Sequence, residues 1–267
     1  MKLKWFRKKN TGWESGRGST KGMLGADLSF SATEAYKLLR ANLAFCLRPE
    51  EEEKSKCIVA GLTSSVQGEG KSTTSINLAY VLAEDGKKVC LVEGDMRAPT
   101  FKSRLKLTSS GGLSNTIVGT RQLQEVINVG VLHKNLSVVA AGDIPPNPAE
   151  LLGSKRMAHL IDLLRTVFDY VIVDLPPVTV VSDALAVSGG LDGMLFVVEE
   201  GLTTKRDLND AMQRLEIIQD KILGFVITHA EVNGGRYSKK GDYAYGYGEK
   251  RDNHAKKPSR KHTDRPD

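Results

Sequence analysis

The chain has 267 residues, about 40% of them hydrophobic, and a formal net charge of +6. That length can bury one large core, while no apolar run approaches the ~18–20 residues that a membrane span needs. Seven basic residues face one acidic residue in 1–22 and ten face five in 236–267, so the stretch between carries −5. The basicity therefore belongs to the two ends and not to a nucleic-acid-binding face, and no nucleic-acid partner is expected. Basic ends can favour an anionic membrane surface or simply solubilise flexible chain. The opening Met1-Lys2-Leu3-Lys4-Trp5-Phe6-Arg7 is basic with no apolar core behind it, which is not a secretory signal. Cys46, Cys57 and Cys90 lie singly in apolar stretches without metal-ligand spacing. They read as buried free thiols of a reducing cytosol.

In chain order, a flexible basic segment over 1–30, rich in Gly, Ser and Thr from residue 10, precedes the folded part. Ser31-Ala32-Thr33-Glu34 has capping-box spacing, and Tyr36, Leu38, Leu39, Leu43 and Phe45 follow at near-helical intervals, predicting a helix over 31–47. Pro49 and the acidic run Glu50 to Glu53 end it. Strand and helix then alternate. Strands are expected at 56–62, 87–92, 136–140, 169–173, 194–198 and 223–228, and helices at 71–85, 148–167, 182–188 and 203–219. Short continuous apolar strands separated by helices give an α/β fold, a mostly parallel sheet covered by helices on both faces. Ligands of such sheets bind beyond the carboxyl ends of the strands. The folded domain is expected to span 31–232. The Gly-, Tyr- and charge-rich residues 233–267 read as a disordered tail.

Three segments lie at those strand ends. The first is Ser65-Val66-Gln67-Gly68-Glu69-Gly70-Lys71-Ser72-Thr73, between a strand and a helix. A loop that wraps a polyphosphate needs backbone without Cβ where it approaches the anion, which Gly68 and Gly70 provide. Its N–H groups, those of Glu69 and Thr73 included, and the helix N-terminus then face the phosphates. Lys71 would neutralise the β- and γ-phosphates, and the Ser72 hydroxyl would ligate Mg²⁺. The first Gly usual in this pattern is Ser65 here.

The second segment is Val92-Glu93-Gly94-Asp95-Met96-Arg97 and the third Val171-Ile172-Val173-Asp174-Leu175-Pro176; each ends an apolar strand on acid. Asp174 can hold Mg²⁺ beside Ser72. Glu93 and Asp95, at i and i+2, are expected on the same side of a strand end. One could ligate the metal and the other accept a proton from an incoming hydroxyl.

Together with Ala141-Gly142-Asp143-Ile144-Pro145-Pro146-Asn147-Pro148-Ala149-Glu150-Leu151-Leu152, these motifs resemble the bacterial tyrosine kinases, and more narrowly the cytoplasmic kinase subunits of Gram-positive capsule and exopolysaccharide systems. The resemblance covers about 31–247. It implies a P-loop NTPase-like domain that uses ATP and Mg²⁺, with Asp95 and Asp174 as the metal aspartates, and Glu93 and Arg97 within the second motif. It also implies a ring in which the tyrosine tail of one copy enters the active site of the next. The tail offers Tyr237, Tyr243, Tyr245 and Tyr247. The family's ring motif Glu-x-x-Arg-x-x-Arg matches Glu34, Lys37 and Arg40. A membrane-anchored polysaccharide co-polymerase that activates the kinase, a cognate tyrosine phosphatase, and a cytoplasmic place at the inner face of the membrane through that partner follow from the same resemblance. Related P-loop ATPases that position division machinery carry an extra signature lysine, where this chain has Val66.

The sequence departs from the family in four places. Glu93 stands where Asp is usual, Lys37 where the ring motif has Arg, Thr228-His229 where an Asn near the adenine is frequent, and the tyrosine cluster is sparse. Two readings follow. One is an autokinase that phosphorylates tail tyrosines in trans and so regulates polysaccharide synthesis and export. The other, motivated by Glu93, is a catalytically weak ATP-binding switch or scaffold of the same machinery.

Overall fold

A computed structural model describes residues 28–47 and 57–230. The four tail tyrosines, the acidic run before the first strand and most of the N-terminal segment lie outside the described residues. Helix α1 (Phe30–Cys46) leads into β1 (Ile58–Ser64), α2 (Lys71–Glu84) and β2 (Val89–Glu93). Four short elements follow, α3 (Phe101–Arg104), α4 (Leu113–Val118), α5 (Leu123–Val126) and β3 (Ile127–Val129), and then β4 (Leu136–Val139). The remainder is α6 (Pro148–Leu152), α7 (Lys155–Arg165), β5 (Tyr170–Asp174), α8 (Asp183–Val187), β6 (Gly193–Glu199), α9 (Lys205–Leu215) and β7 (Ile222–Thr228).

The seven strands form one sheet in the order β3-β4-β2-β5-β1-β6-β7. All neighbours are parallel except β3, which runs antiparallel to β4. Alternate residues of the continuous apolar strands feed opposite faces. Ala60, Leu62, Leu91 and Ile172 join the core under α1, α2 and α3. Val59, Cys90, Val92, Val171 and Val173 join the core under α4, α7, α8 and α9. The expected architecture, with helices on both faces of a mostly parallel sheet, is the observed one.

Several local expectations are corrected. The cap of α1 is Ser29, whose hydroxyl accepts from Ala32 N at 3.2 Å, and not the Ser31–Glu34 box. Glu34 pairs instead with Lys37 at 2.9 Å. The single helix expected over 148–167 is two, because Gly153 lets α6 lie close to Ala186 of α8 and Ser154 caps α7 through Met157 N. The helix expected over 203–219 ends as α9 at Leu215, beyond which Ile218 leaves helical geometry. The three-residue β3 was not anticipated, being too short to show a period.

Candidate functional site

The loop 65–70 leaves the central strand β1 and enters α2. Gly68 and Gly70 have φ of 98° and 80°, in the left-handed region that favours glycine. Gly70 is the N-cap of α2 and supplies no side-chain cap, so the first-turn N–H groups stay directed at the loop's concavity. The loop is braced from three sides. Glu69 is buried; its Oε2 accepts from Val66 N at 2.7 Å, and its Oε1 accepts from the Thr203 hydroxyl. The Thr228 hydroxyl donates to the Glu69 carbonyl at 2.9 Å. The Glu69 side chain therefore shapes the loop, and only its main chain is free to serve a phosphate. Thr228 likewise holds the loop.

Lys71 lies at the centre of the site and is almost fully buried. Its Nζ is 3.0 Å from Asp174 Oδ1, 3.3 Å from Ser72 Oγ and 3.6 Å from Asp95 Oδ2. Asp174 ends β5 and is 1% exposed. Ser75, one turn along α2, donates to the same Oδ1 at 3.1 Å, while Oδ2 is buried with no hydrogen-bond partner among the described residues. A buried carboxylate oxygen so left is costly unless a cation or donor reaches it. With the Ser72 hydroxyl and Asp95 beside it, this all-oxygen set suits a hard divalent cation such as Mg²⁺. Gly94 permits the approach of the two acidic strand ends: its N–H donates to the Asp174 carbonyl at 2.7 Å, and a Cβ there would stand 2.9 Å from that oxygen.

Glu93 departs from its expected place as a proton acceptor. It is 1% exposed, and both carboxylate oxygens are engaged by the main chain. Oε1 accepts from Thr100 N at 2.5 Å and Phe101 N at 2.7 Å, and Oε2 accepts from Ala141 N at 2.9 Å. Burial pushes its pKa up, and the three amides oppose that shift. Glu93 thus ties the end of β2 to the start of α3 and to the turn after β4. β2 ends at Glu93, so strand alternation does not carry on to Asp95, whose Oδ1 accepts from Ala98 N at 3.1 Å and whose Oδ2 lies 3.6 Å from Lys71 Nζ.

Arg97 is also differently placed. Its Nε and Nη2 each lie 3.1 Å from a carboxylate oxygen of Asp183, a bidentate pair. Asp183 is fully buried at the start of α8. This pair holds the second motif against the segment that follows Asp174. Asp183 escaped the sequence reading, as did Ser75, Thr203 and Arg104; the string Ser182-Asp183 reads locally as an ordinary helix start. On α1, Arg40 donates to the Val81 carbonyl at 3.1 Å and pairs with Asp85 at 3.2 Å, so it is bound within its own domain, whereas Glu34 and Lys37 face solvent.

A family model described as "AAA domain" matches residues 59–223. The tyrosine-protein kinase YwqD of Bacillus subtilis is 36% identical over 218 residues, covering 82% of this chain and 87% of that protein. The tyrosine-protein kinase CpsD of Streptococcus pneumoniae serotype 4 is 36% identical over 211 residues, covering 77% and 88%. This chain belongs to the bacterial tyrosine-protein kinase family. Among solved structures, the kinase domain of the Escherichia coli tyrosine kinase ETK superposes with a TM-score of 0.67 at 32% identity, covering 81% of each chain. The kinase resemblance drawn from the motifs is thereby established, and with it a P-loop ATP-binding fold and a tyrosine kinase activity.

Proposed function

We propose that the chain transfers the γ-phosphoryl of Mg-ATP to tyrosines in the 233–267 segment of a neighbouring copy within a ring. The observation that carries this reading is the convergence of Lys71, Ser72, Asp95 and Asp174 at the N-terminus of α2. Phosphoryl transfer passes through a loose transition state, so positioning and charge neutralisation do most of the work and little is asked of a base. The engagement of Glu93 by backbone amides is compatible with that chemistry. Mg²⁺ bound beside Ser72, Asp95 and Asp174 would supply positive charge against the negative charge that develops on the phosphates.

The protein's own residues do the rest. The N–H groups of 68–73 receive the phosphates, and Lys71 exchanges its carboxylate partners for the β- and γ-oxygens. Ser72, Asp95 and Asp174 would hold the metal. The phenol oxygen of an incoming Tyr237, Tyr243, Tyr245 or Tyr247 forms the new P–O bond as the bond to the β,γ-bridge oxygen breaks. The phenol proton leaves to solvent or to the transferred phosphate. Each phosphotyrosine adds roughly −1.5 to −2 charge, so fully modified tails repel one another and favour release from the ring.

Among the described residues no helix is long and apolar enough to cross a membrane. A membrane-anchored co-polymerase subunit that completes the active form, and a phosphatase that resets the tails, fit that reading. Glu34 and Lys37, exposed on α1, are available for the contact between copies, with Arg40 positioning α1 on α2. The test is peptide mass spectrometry after incubation with Mg-ATP, with and without the partner's cytoplasmic segment, beside Lys71→Met and a triple Tyr243, Tyr245, Tyr247→Phe variant. Phosphate on the tail that both variants lose supports the reading. Undiminished autophosphorylation in the Phe variant sinks the tail-acceptor proposal.

A further inference from the structure

Arg104 and Thr73 form a contact that none of the recognised motifs contains. Arg104 closes α3, and its Nη2 donates to Thr73 Oγ1 at 2.8 Å. Thr73 is the third residue of α2, so the guanidinium lies across the helix turn whose N–H groups face the phosphate loop. Both side chains are half-buried, close enough to the site to act there and open enough for a ligand to reach. Burial disfavours the guanidinium charge, and the carboxylates of Asp174 and Glu93 oppose that effect, so a nearby anion would be welcome.

The chemistry of a hydroxyl makes the arrangement directional. It has one proton to give and two lone pairs to accept with. Arg104 occupies a lone pair of Thr73, which turns the hydroxyl proton away from the guanidinium and leaves it for an acceptor in front of α2. Thr73 takes one of the five donors of the guanidinium. The pair is fixed by a chain of contacts: Glu93 holds the amides of Thr100 and Phe101, the N-cap and first residue of α3, which carries Arg104.

We infer that Arg104 is a positioning residue for the polyphosphate of the nucleotide: it orients the Thr73 hydroxyl toward a phosphate oxygen and adds positive charge at the α2 N-terminus. This rests on the reading of 65–73 as the nucleotide loop. Discrimination should follow phosphate content, so that the residue matters for ATP and ADP and not for adenosine.

The test uses the full chain and titrates ATP, ADP and adenosine by calorimetry, with steady-state phosphorylation in parallel. Arg104→Ala is expected to weaken ATP about tenfold, the size of one charge-assisted hydrogen bond, and to raise KM with kcat little changed. Arg104→Lys should recover only part of the loss, because an ammonium is a point charge without the planar fork. Thr73→Val should weaken ATP similarly, and the double variant should be no worse than the worse single one, since the two act as a unit. Equal ATP affinity in the parent chain, Arg104→Ala and Arg104→Lys would overturn the inference, as would losses that multiply in the double variant. If Arg104→Ala fails to fold, the Lys variant and the Thr73→Val comparison still decide. A parent chain that binds no ATP would sink the nucleotide reading itself, and the inference with it.

Discussion

Shortening Glu93 by one methylene, as in Glu93→Asp, withdraws a carboxylate that three main-chain amides share. The backbone cannot follow it, because Glu93 is the last residue of β2 and is held in register opposite Asp174 of β5. The donors come from two directions, Thr100 and Phe101 on one oxygen and Ala141 on the other, at 2.5, 2.7 and 2.9 Å. A retreat of about 1.5 Å, one carbon–carbon bond, takes at least one of these sets beyond hydrogen-bonding distance. Hydrogen bonds to a charged group contribute about 1.5–3 kcal/mol each, so losing one or two costs about 2–5 kcal/mol. In a domain of about 200 residues each kcal/mol moves Tm by about 2–4 °C, which predicts a fall of about 5–15 °C. The assay is thermal unfolding by circular dichroism, paired with phosphotyrosine formation well below both melting points. An Asp variant that melts within about 1 °C of the parent would refute the anchoring role. One that also phosphorylates faster would return Glu93 to the role of proton acceptor, the outcome expected from the family's usual Asp.

Burial lifts the Cys57 thiol to about 12 from an ordinary 9.0 and raises Cys90 as well, while Cys46 is exposed; iodoacetamide on the folded chain should therefore modify Cys46 alone, as read by intact mass. Between pH 9 and 12 the unfolded chain ionises Cys57 and the folded chain does not, so Tm should fall as pH climbs through that window, and less steeply in Cys57→Ala. Arg97→Ala strands the buried Asp183; because the Arg97 side chain is 42% exposed, solvent screens part of the loss, and about 1–3 kcal/mol by denaturant unfolding is expected in place of the 3–5 of a fully buried pair. Gly94→Ala sets a Cβ 2.9 Å from the Asp174 carbonyl and should cost about 1–3 kcal/mol with a weakened Kd for Mg-ATP, measured by calorimetry. Lys71→Met removes the ammonium from Asp174 and Asp95 as well as from the phosphates, so it should lower Tm in addition to abolishing transfer; the added change Asp174→Asn should restore Tm and not activity.

The parts of this molecule that its sequence displays are those whose chemistry is local. The phosphate loop is legible because Gly68, Gly70, Lys71 and Ser72 act within one strand–loop–helix unit, and Asp174 because it ends an uninterrupted apolar strand. Glu93 defeats a local reading for a distant cause. Alternation along a strand places residues i and i+2 together only while the strand lasts, and β2 ends at Glu93. The amides that claim its carboxylate come from Thr100, Phe101 and Ala141, the last 48 positions away. Arg97 and Asp183 are 86 positions apart, and neither carries a mark of the other. The division of 148–167 into α6 and α7 is marked by Gly153-Ser154, a helix stop followed by a cap, although the apolar period runs through it.

Besides Glu69, which braces the phosphate loop, four buried acids surround this site, and what separates them is the cation or donor that answers each one. Glu93 is met by main-chain amides, which cannot leave, and so it is structural. Asp183 is met by a bidentate arginine, and so it fastens one segment to another. Asp174 and Asp95 share Lys71, a flexible ammonium whose better partner is a polyphosphate; beyond it Asp174 has the Ser75 hydroxyl and Asp95 the Ala98 amide, and Asp174 keeps one oxygen without a partner among the described residues. These two are therefore the acids whose partner can change when nucleotide arrives, and the metal ligands are to be sought there. The same logic sets the order of events. Lys71 cannot turn to the phosphates without leaving two buried carboxylates with one neutral donor each and no cation, which is expensive unless a divalent cation takes its place. Nucleotide and metal should accordingly bind as one, with ATP affinity falling steeply when Mg²⁺ is chelated and falling far less in Asp174→Asn.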